Sequence, residues 1–511
     1  MKKKMSILLC TLFLAIQLVG CQRDGQTGNA DAAQEDTLMM AIAADIGTFD
    51  PSRMTSGEEL FIGSCIYDSL TWTPLGAAEP TMKVAESYSV SDDGVTYSFT
   101  LRDGVTFHNG EKMTMDDVLY SVELFRTSAA LASFSYSIAD CRAENDKTLI
   151  VTLRAPDPGF LEGFNWCFIL PKEAHETAGG DFGTQPIGSG PYTVQSYAAG
   201  DKLVLNAYSD YYRGKADIER CEIRFITDLS TVATALETGE IHYSMNVAFS
   251  QIETLEQSGM VTCEMREAVG SIFLYGVHQN PPYDNVLVRK AISYAIDRDM
   301  CSDVVYSGYA PLNPTPLPGI TVDGPQEVEG YSYDPEKARQ LLADAGYPGG
   351  EGLRTLTIQT QEINKAYAEV VQSNLRDIGI QAEVEVLEQN AFLADAFAGN
   401  VDLAIMTSGL GGNAAQWVAM FTTGGQMNFP QYSNPTVDEL YSQAIAERDS
   451  SKRQELYDEI FRIVIDEDAA MTPIVGQMDC HAISTKLDIG DGLNNAYTMI
   501  NPYDLSFRTV E

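Results

Sequence analysis

Apolar and polar positions alternate in short stretches over the first half of the chain. Leu38 to Ala43, Val95 to Arg102, Leu149 to Leu153 and Lys202 to Ala207 each predict a strand. The turn Arg102-Asp103-Gly104 is expected to join the second of these to Val105 to His108 as a hairpin. Thr114 is a predicted cap for a helix running through Arg126, with Asp116 and Asp117 in the first turn, where the helix dipole favours anions. This half reads as mixed α+β.

Beyond about residue 270 the spacing becomes helical. Asn285 to Met300 predicts one amphipathic helix with Val288, Ala291, Ile292, Ala295 and Ile296 on one side. Asp334-Pro335 opens another, which Gly346 ends. Strand Leu353 to Gln359, helix Asn364 to Ile378, strand Gln381 to Leu387, helix Asn390 to Phe397 and strand Val401 to Met406 follow. That βαβαβ order predicts a parallel sheet, which binds ligands at the carboxyl ends of its strands: Thr360 to Glu362, Glu388 to Asn390 and Thr407 to Asn413. Helices from Asn434-Pro435 to Arg448 and from Ser451 to Asp466 complete the unit. Two unlike α/β halves of comparable size imply lobes that enclose a ligand between them.

The N-terminus changes the picture. Lys2, Lys3 and Lys4 precede an apolar run from Ile7 to Val19. This run falls short of the about 20 residues that span a bilayer and fits a signal-peptide core over residues 1–20. Leu18-Val19-Gly20-Cys21 resembles the bacterial lipobox, which implies cleavage before Cys21 and a lipid on its thiol. Up to Thr37 the chain has no large apolar residue and reads as a flexible tether. No later apolar stretch approaches spanning length, so the body is expected on the outer face of the cytoplasmic membrane, held by the lipid alone.

Charge and composition narrow the function further. The chain has 33 Lys and Arg against 72 Asp and Glu, a net charge of −39, so nucleic acid is excluded as a partner. Cys65, Cys141, Cys167, Cys221, Cys263, Cys301 and Cys480 have no CxxC spacing and read mainly as small buried hydrophobes. The five histidines, at 108, 175, 242, 278 and 481, show no paired spacing that would make a metal cage, and His108 reads as structural. GxSxG, SxxK, HExxH and a Walker loop are all missing, so no enzyme and no cofactor are expected.

Several motifs then occur in a recognisable order. Pro80 to Gly110 reads PTMKVAESYSVSDDGVTYSFTLRDGVTFHNG, followed by TMDDVLYSVELFR from Thr114, PIGSGPY from Pro186 and LETGEIHY from Leu236. VRKAISYAIDRDM from Val288, YSYDPEKARQLLADAGYPGG from Tyr331 and VQSNLRDIGIQAEVEV from Val371 complete the set. Together they resemble the extracellular solute-binding protein family 5, the oligopeptide-, dipeptide- and nickel-type binding proteins of ABC importers. The resemblance implies an α/β, two-lobed periplasmic-binding-protein-like fold with an inserted α+β subdomain in the first lobe. The first lobe would comprise residues 38–51, 186–270 and 475–511, the insert 52–185 and the second lobe 271–474, with hinges near 268–272 and 473–476. It further implies a monomer that captures a peptide or other small solute and delivers it to a permease and its ATPase.

Peptide binders of this family carry an Asp after the strand corresponding to Val401 to Met406, where it pairs with the ligand's amino terminus. Thr407 to Trp417 holds no carboxylate here. The resemblance therefore leaves open a peptide, an opine-like compound, an oligosaccharide or a chelated metal as ligand, and a sensory role beside transport. The expected ligand-binding residues are Tyr67, Asn246, Tyr275, His278, Thr407, Ser408, Asn413 and Trp417. Gly188 and Gly190 are expected to supply backbone freedom, and Asp297 with Arg298 a local charged pair.

Overall fold

The computed structural model describes residues 37–409, 412–425 and 427–509. Cys21, the apolar run before it and the tether up to residue 36 lie outside the described residues. A ten-stranded sheet organises the rest. Across it the strands run Ala382–Val386, Leu356–Thr360, Leu403–Gly409, Val261–Tyr275, Thr472–Ser484, Tyr243–Ser244, Thr37–Ile42, Arg220–Phe225, Lys202–Ala207 and Tyr192–Ala198. The predicted parallel pairing is present: Leu356–Thr360 pairs in parallel with both Ala382–Val386 and Leu403–Gly409.

Two long strands make this one sheet rather than two. Val261–Tyr275 and Thr472–Ser484 have 15 and 13 residues, enough for each to belong to both lobes. At one end the first pairs with Leu403–Gly409, and at the other the second pairs with Tyr243–Ser244. Their mutual antiparallel register slips midway. Glu267 faces Met478 and Ser271 faces Gly476, so Ala268, Val269 and Gly270 lie opposite the single residue Gln477. A bulge bends and twists a strand locally, and this one lies at the two segments expected to act as hinges.

A separate antiparallel sheet of Ala85–Val90, Thr96–Leu101, Thr148–Leu153 and Ile138–Asn145 carries the insert. Its helix Met115–Thr127 begins at Thr114 in a capping box with Asp117. Leu38, Phe99, Val118 and Tyr192 share one apolar core, so the insert is fused to the first lobe by packing. The second lobe has two cores of its own, around Trp417 and Tyr457 on one face of its sheet and around Ile292 and Val371 on the other.

Four local expectations are corrected. The helix expected over Asn285 to Met300 is two helices, Val286–Ala295 and Arg298–Tyr306. Ile296 is extended, and Asp297 caps the second helix by accepting from Met300 N at 3.0 Å. Arg298 therefore has no pair in Asp297; it is buried and donates to the Pro473 carbonyl at 2.8 Å, and burial lowers its pKa to about 10. Val105 to His108 forms no strand and contributes a single bridge, Thr106 to Lys112. Gly188 and Gly190 are needed for space: a Cβ on Gly188 would lie 1.9 Å from the Ile66 carbonyl oxygen, and one on Gly190 2.6 Å from the Ile66 carbonyl carbon. His108 is structural, as expected, with Nε2 3.0 Å from the Gly190 carbonyl and Nδ1 accepting from Gly188 N at 3.2 Å.

Candidate functional site

The two crossing strands form the floor between the lobes. Glu267 stands at the edge of the bulge, and its Oε1 accepts from Asn313 Nδ2 at 2.5 Å. A Cβ on Gly319 would come within 2.8 Å of the Glu267 carboxylate, and one on Gly476 within 3.0 Å. Those two positions admit only glycine without displacing the acid. Beside it, Arg266 donates to the carbonyls of Ala496 at 3.0 Å and Leu75 at 3.1 Å. Its cross-strand neighbour Asp479 is pushed up to about 6 by burial, an effect the Arg266 charge only partly offsets.

The segment after strand Leu403–Gly409 meets the insert from the other side. Val322 N donates to the Gly412 carbonyl at 2.7 Å and Ala414 N to the Val322 carbonyl at 3.0 Å, so a loop of the second lobe braces this segment. Glu162, on the helical turn Phe160–Gly163 of the insert, accepts from Gly412 N at 2.9 and 3.0 Å through its two oxygens. The same carboxylate accepts from Tyr497 OH at 2.9 Å. Burial raises the Glu162 pKa, while the bonds from Gly412 and Tyr497 oppose the rise. A cavity of about 60 Å³ adjoins this junction, bounded by Pro74, Leu161, Glu162, Val322 and Asn413. One acid thus joins the insert, the second lobe and the C-terminal segment.

The expected ligand residues divide into two groups. Tyr67, Tyr275 and Trp417 are fully buried, although Tyr67 borders a cavity of about 60 Å³ together with Asp68, Lys83 and Arg213. Tyr67 OH donates to the Phe49 carbonyl at 2.8 Å, Tyr275 stacks on Phe429, and Trp417 belongs to the second-lobe core. His278 is also held structurally: its Nε2 lies 3.2 Å from the Ala470 carbonyl, its ring packs on Tyr283 and Tyr432, and burial lowers its pKa to about 4. Thr407, Ser408 and Asn246 are only half-buried. Thr407 Oγ1 donates to Asn364 Oδ1 at 2.7 Å, while the buried Asn364 Nδ2 has no partner. Asn413 caps the short helix Ala414–Val418 through Ala415 N at 2.8 Å. Glu162, Glu267, Asn313 and Gln477 were not singled out by sequence, because no motif marks them and their partners are distant in the chain.

Comparison with known proteins decides the family. A model described as bacterial extracellular solute-binding proteins, family 5 (middle), matches residues 79–429. The chain belongs to this family. Family 5 proteins are binding components of ABC importers and are not enzymes. Among family 5 relatives, the glutathione-binding protein GsiB of Shigella flexneri serotype 5b is 26% identical over 443 residues, covering 82% of this chain and 85% of its own. Heme-binding protein A of Haemophilus influenzae is 23% identical, covering 95% and 96%. The periplasmic binding protein DppA of Helicobacter pylori, solved with the peptide STSA, superimposes with a TM-score of 0.75 at 26% identity, covering 94% of this chain and 100% of that one. HbpA2 of Haemophilus parasuis gives a TM-score of 0.82 at 22% identity, covering 93% and 100%, which supports the two-lobed fold. No helix among the described residues is long and apolar enough to cross a membrane.

Proposed function

We propose that this chain is a lipid-anchored, extracytoplasmic binding protein that captures a peptide or peptide-like solute between its lobes and delivers it to an ABC permease. The observation that carries the reading is the Glu162 junction, in which the insert grips the segment beyond the carboxyl end of strand Leu403–Gly409. Parallel sheets bind solutes at such strand ends. Thr407, Ser408 and Asn246 are the proposed contacts, since they keep partly exposed side chains. The kinship with a glutathione binder and a peptide-bound DppA supports the solute class.

The segment Thr407 to Trp417 still lacks an acid of its own, and the Glu162 oxygens are engaged with Gly412 and Tyr497. A desolvated ammonium without a counter-charge is costly. Solutes without a free α-amine are therefore favoured over simple dipeptides. Uptake of labelled N-acetylated and free peptides by cells with and without the gene tests this. Loss of uptake of the blocked peptides on deletion supports the proposal; identical uptake of both classes in the two strains refutes it.

A further inference from the structure

A second cavity, of about 230 Å³, lies between the insert and the second lobe, beside the helix Ala414–Val418 that follows the strand-end segment. Tyr136, Arg154 and Asp157 line it from the insert, and Gln416, Ala419 and Tyr441 from the second lobe. The lobes touch beside it: a Cβ on Gly159 would meet the Gln416 side chain at 2.7 Å, and Arg448 reaches Asp92 at 4.0 Å. Its polar lining mixes acceptors, Asp157 and Gln416 Oε1, with donors, among them Ser137 Oγ, which is buried and has no hydrogen-bond partner. Gln416 Oε1 is buried and has no hydrogen-bond partner. The Asp157 carboxylate is fixed by Gly159 N at 3.0 Å, and no ion pair among the described residues reaches it. Arg154 is exposed, and its Nε is turned to the Tyr136 carbonyl at 3.0 Å.

These features select a ligand by its charge. An anion would meet Asp157, and a neutral solute would bring that carboxylate at most a hydrogen bond and no countercharge. An ammonium satisfies both Asp157 and Gln416 Oε1, and the rings of Tyr136 and Tyr441 offer faces that attract cations. We propose that this cavity is a binding site for a small organic cation, a primary ammonium on an aromatic or aliphatic body. Because its walls come from two lobes, occupancy favours their approach.

Calorimetry on the full mature chain with phenethylamine as the probe, and 2-phenylethanol as its uncharged counterpart, tests the site. Saturable binding of phenethylamine alone is expected, weakened about tenfold or more by Asp157→Asn, as befits a charge-assisted hydrogen bond. Ala419→Trp, which fills the cavity from the opposite wall, should abolish binding while leaving the thermal transition cooperative. Absence of saturation by millimolar phenethylamine, equal binding of 2-phenylethanol, or unchanged affinity in Asp157→Asn with a cooperative transition each overturns the proposal. Any of these would leave the strand-end transport site untouched.

Discussion

The carboxylate of Glu162 and the backbone N–H of Gly412 are 250 residues apart in the chain and 2.9 Å apart in the structure. The bond links the insert to the segment that follows a central strand of the second lobe. Truncating the acid removes the acceptor for both Gly412 N and Tyr497 OH, and an orphaned buried donor costs about 1–3 kcal/mol. Glu162→Ala should therefore shift the lobes apart, with Glu162→Gln closer to wild type because it keeps an acceptor. X-ray scattering should show a larger radius of gyration for the alanine variant; an unchanged radius would remove the bond from the closing mechanism.

Asp479 gives a pH dependence with a definite sign. Its folded pKa, about 6, lies above the ordinary 3.8, so the folded state holds its proton more tightly than the unfolded state. That contribution to stability is complete below about pH 3.8 and is lost as pH rises through about 6. Asp479→Asn should then gain up to about 3 kcal/mol over wild type at pH 7.5 and nothing at pH 3.5. Denaturant titrations at the two pH values measure it; an equal difference at both would show that Asp479 does not titrate as its burial implies.

The membrane anchor is testable without structural data. Cys21→Ala should release the protein from the membrane fraction or block its processing, since acylation of that thiol is the proposed tether. Fractionation that matches wild type would exclude it.

Periodic elements were legible in the sequence because local chemistry fixes them. Lys202–Ala207 has the expected bounds, and the capping box at Thr114 starts its helix where expected. The break at Ile296 was hidden because its apolar spacing continues through it; the cap at Asp297 ends one helix and starts another. Gly188 shows the same limit, since its need for space arises from Ile66, 122 positions away in the sequence. Within the candidate site, sequence located the strand-end segment from Thr407 but not Glu162, whose role exists only through a bond across the chain. Aromatic identity does not separate a ligand wall from a core: Tyr67, Tyr275 and Trp417 are packed within cores, where large rings bury the most area.

Native mass spectrometry of the protein purified from its own cells and exposed to a mixed pool of blocked and free peptides tests the capture of a solute between the lobes most directly. The expected spectrum shows one small solute per chain, released on mild unfolding and retained less by Glu162→Ala than by wild type. A bare chain mass throughout, with no peptide bound from the pool, would contradict it.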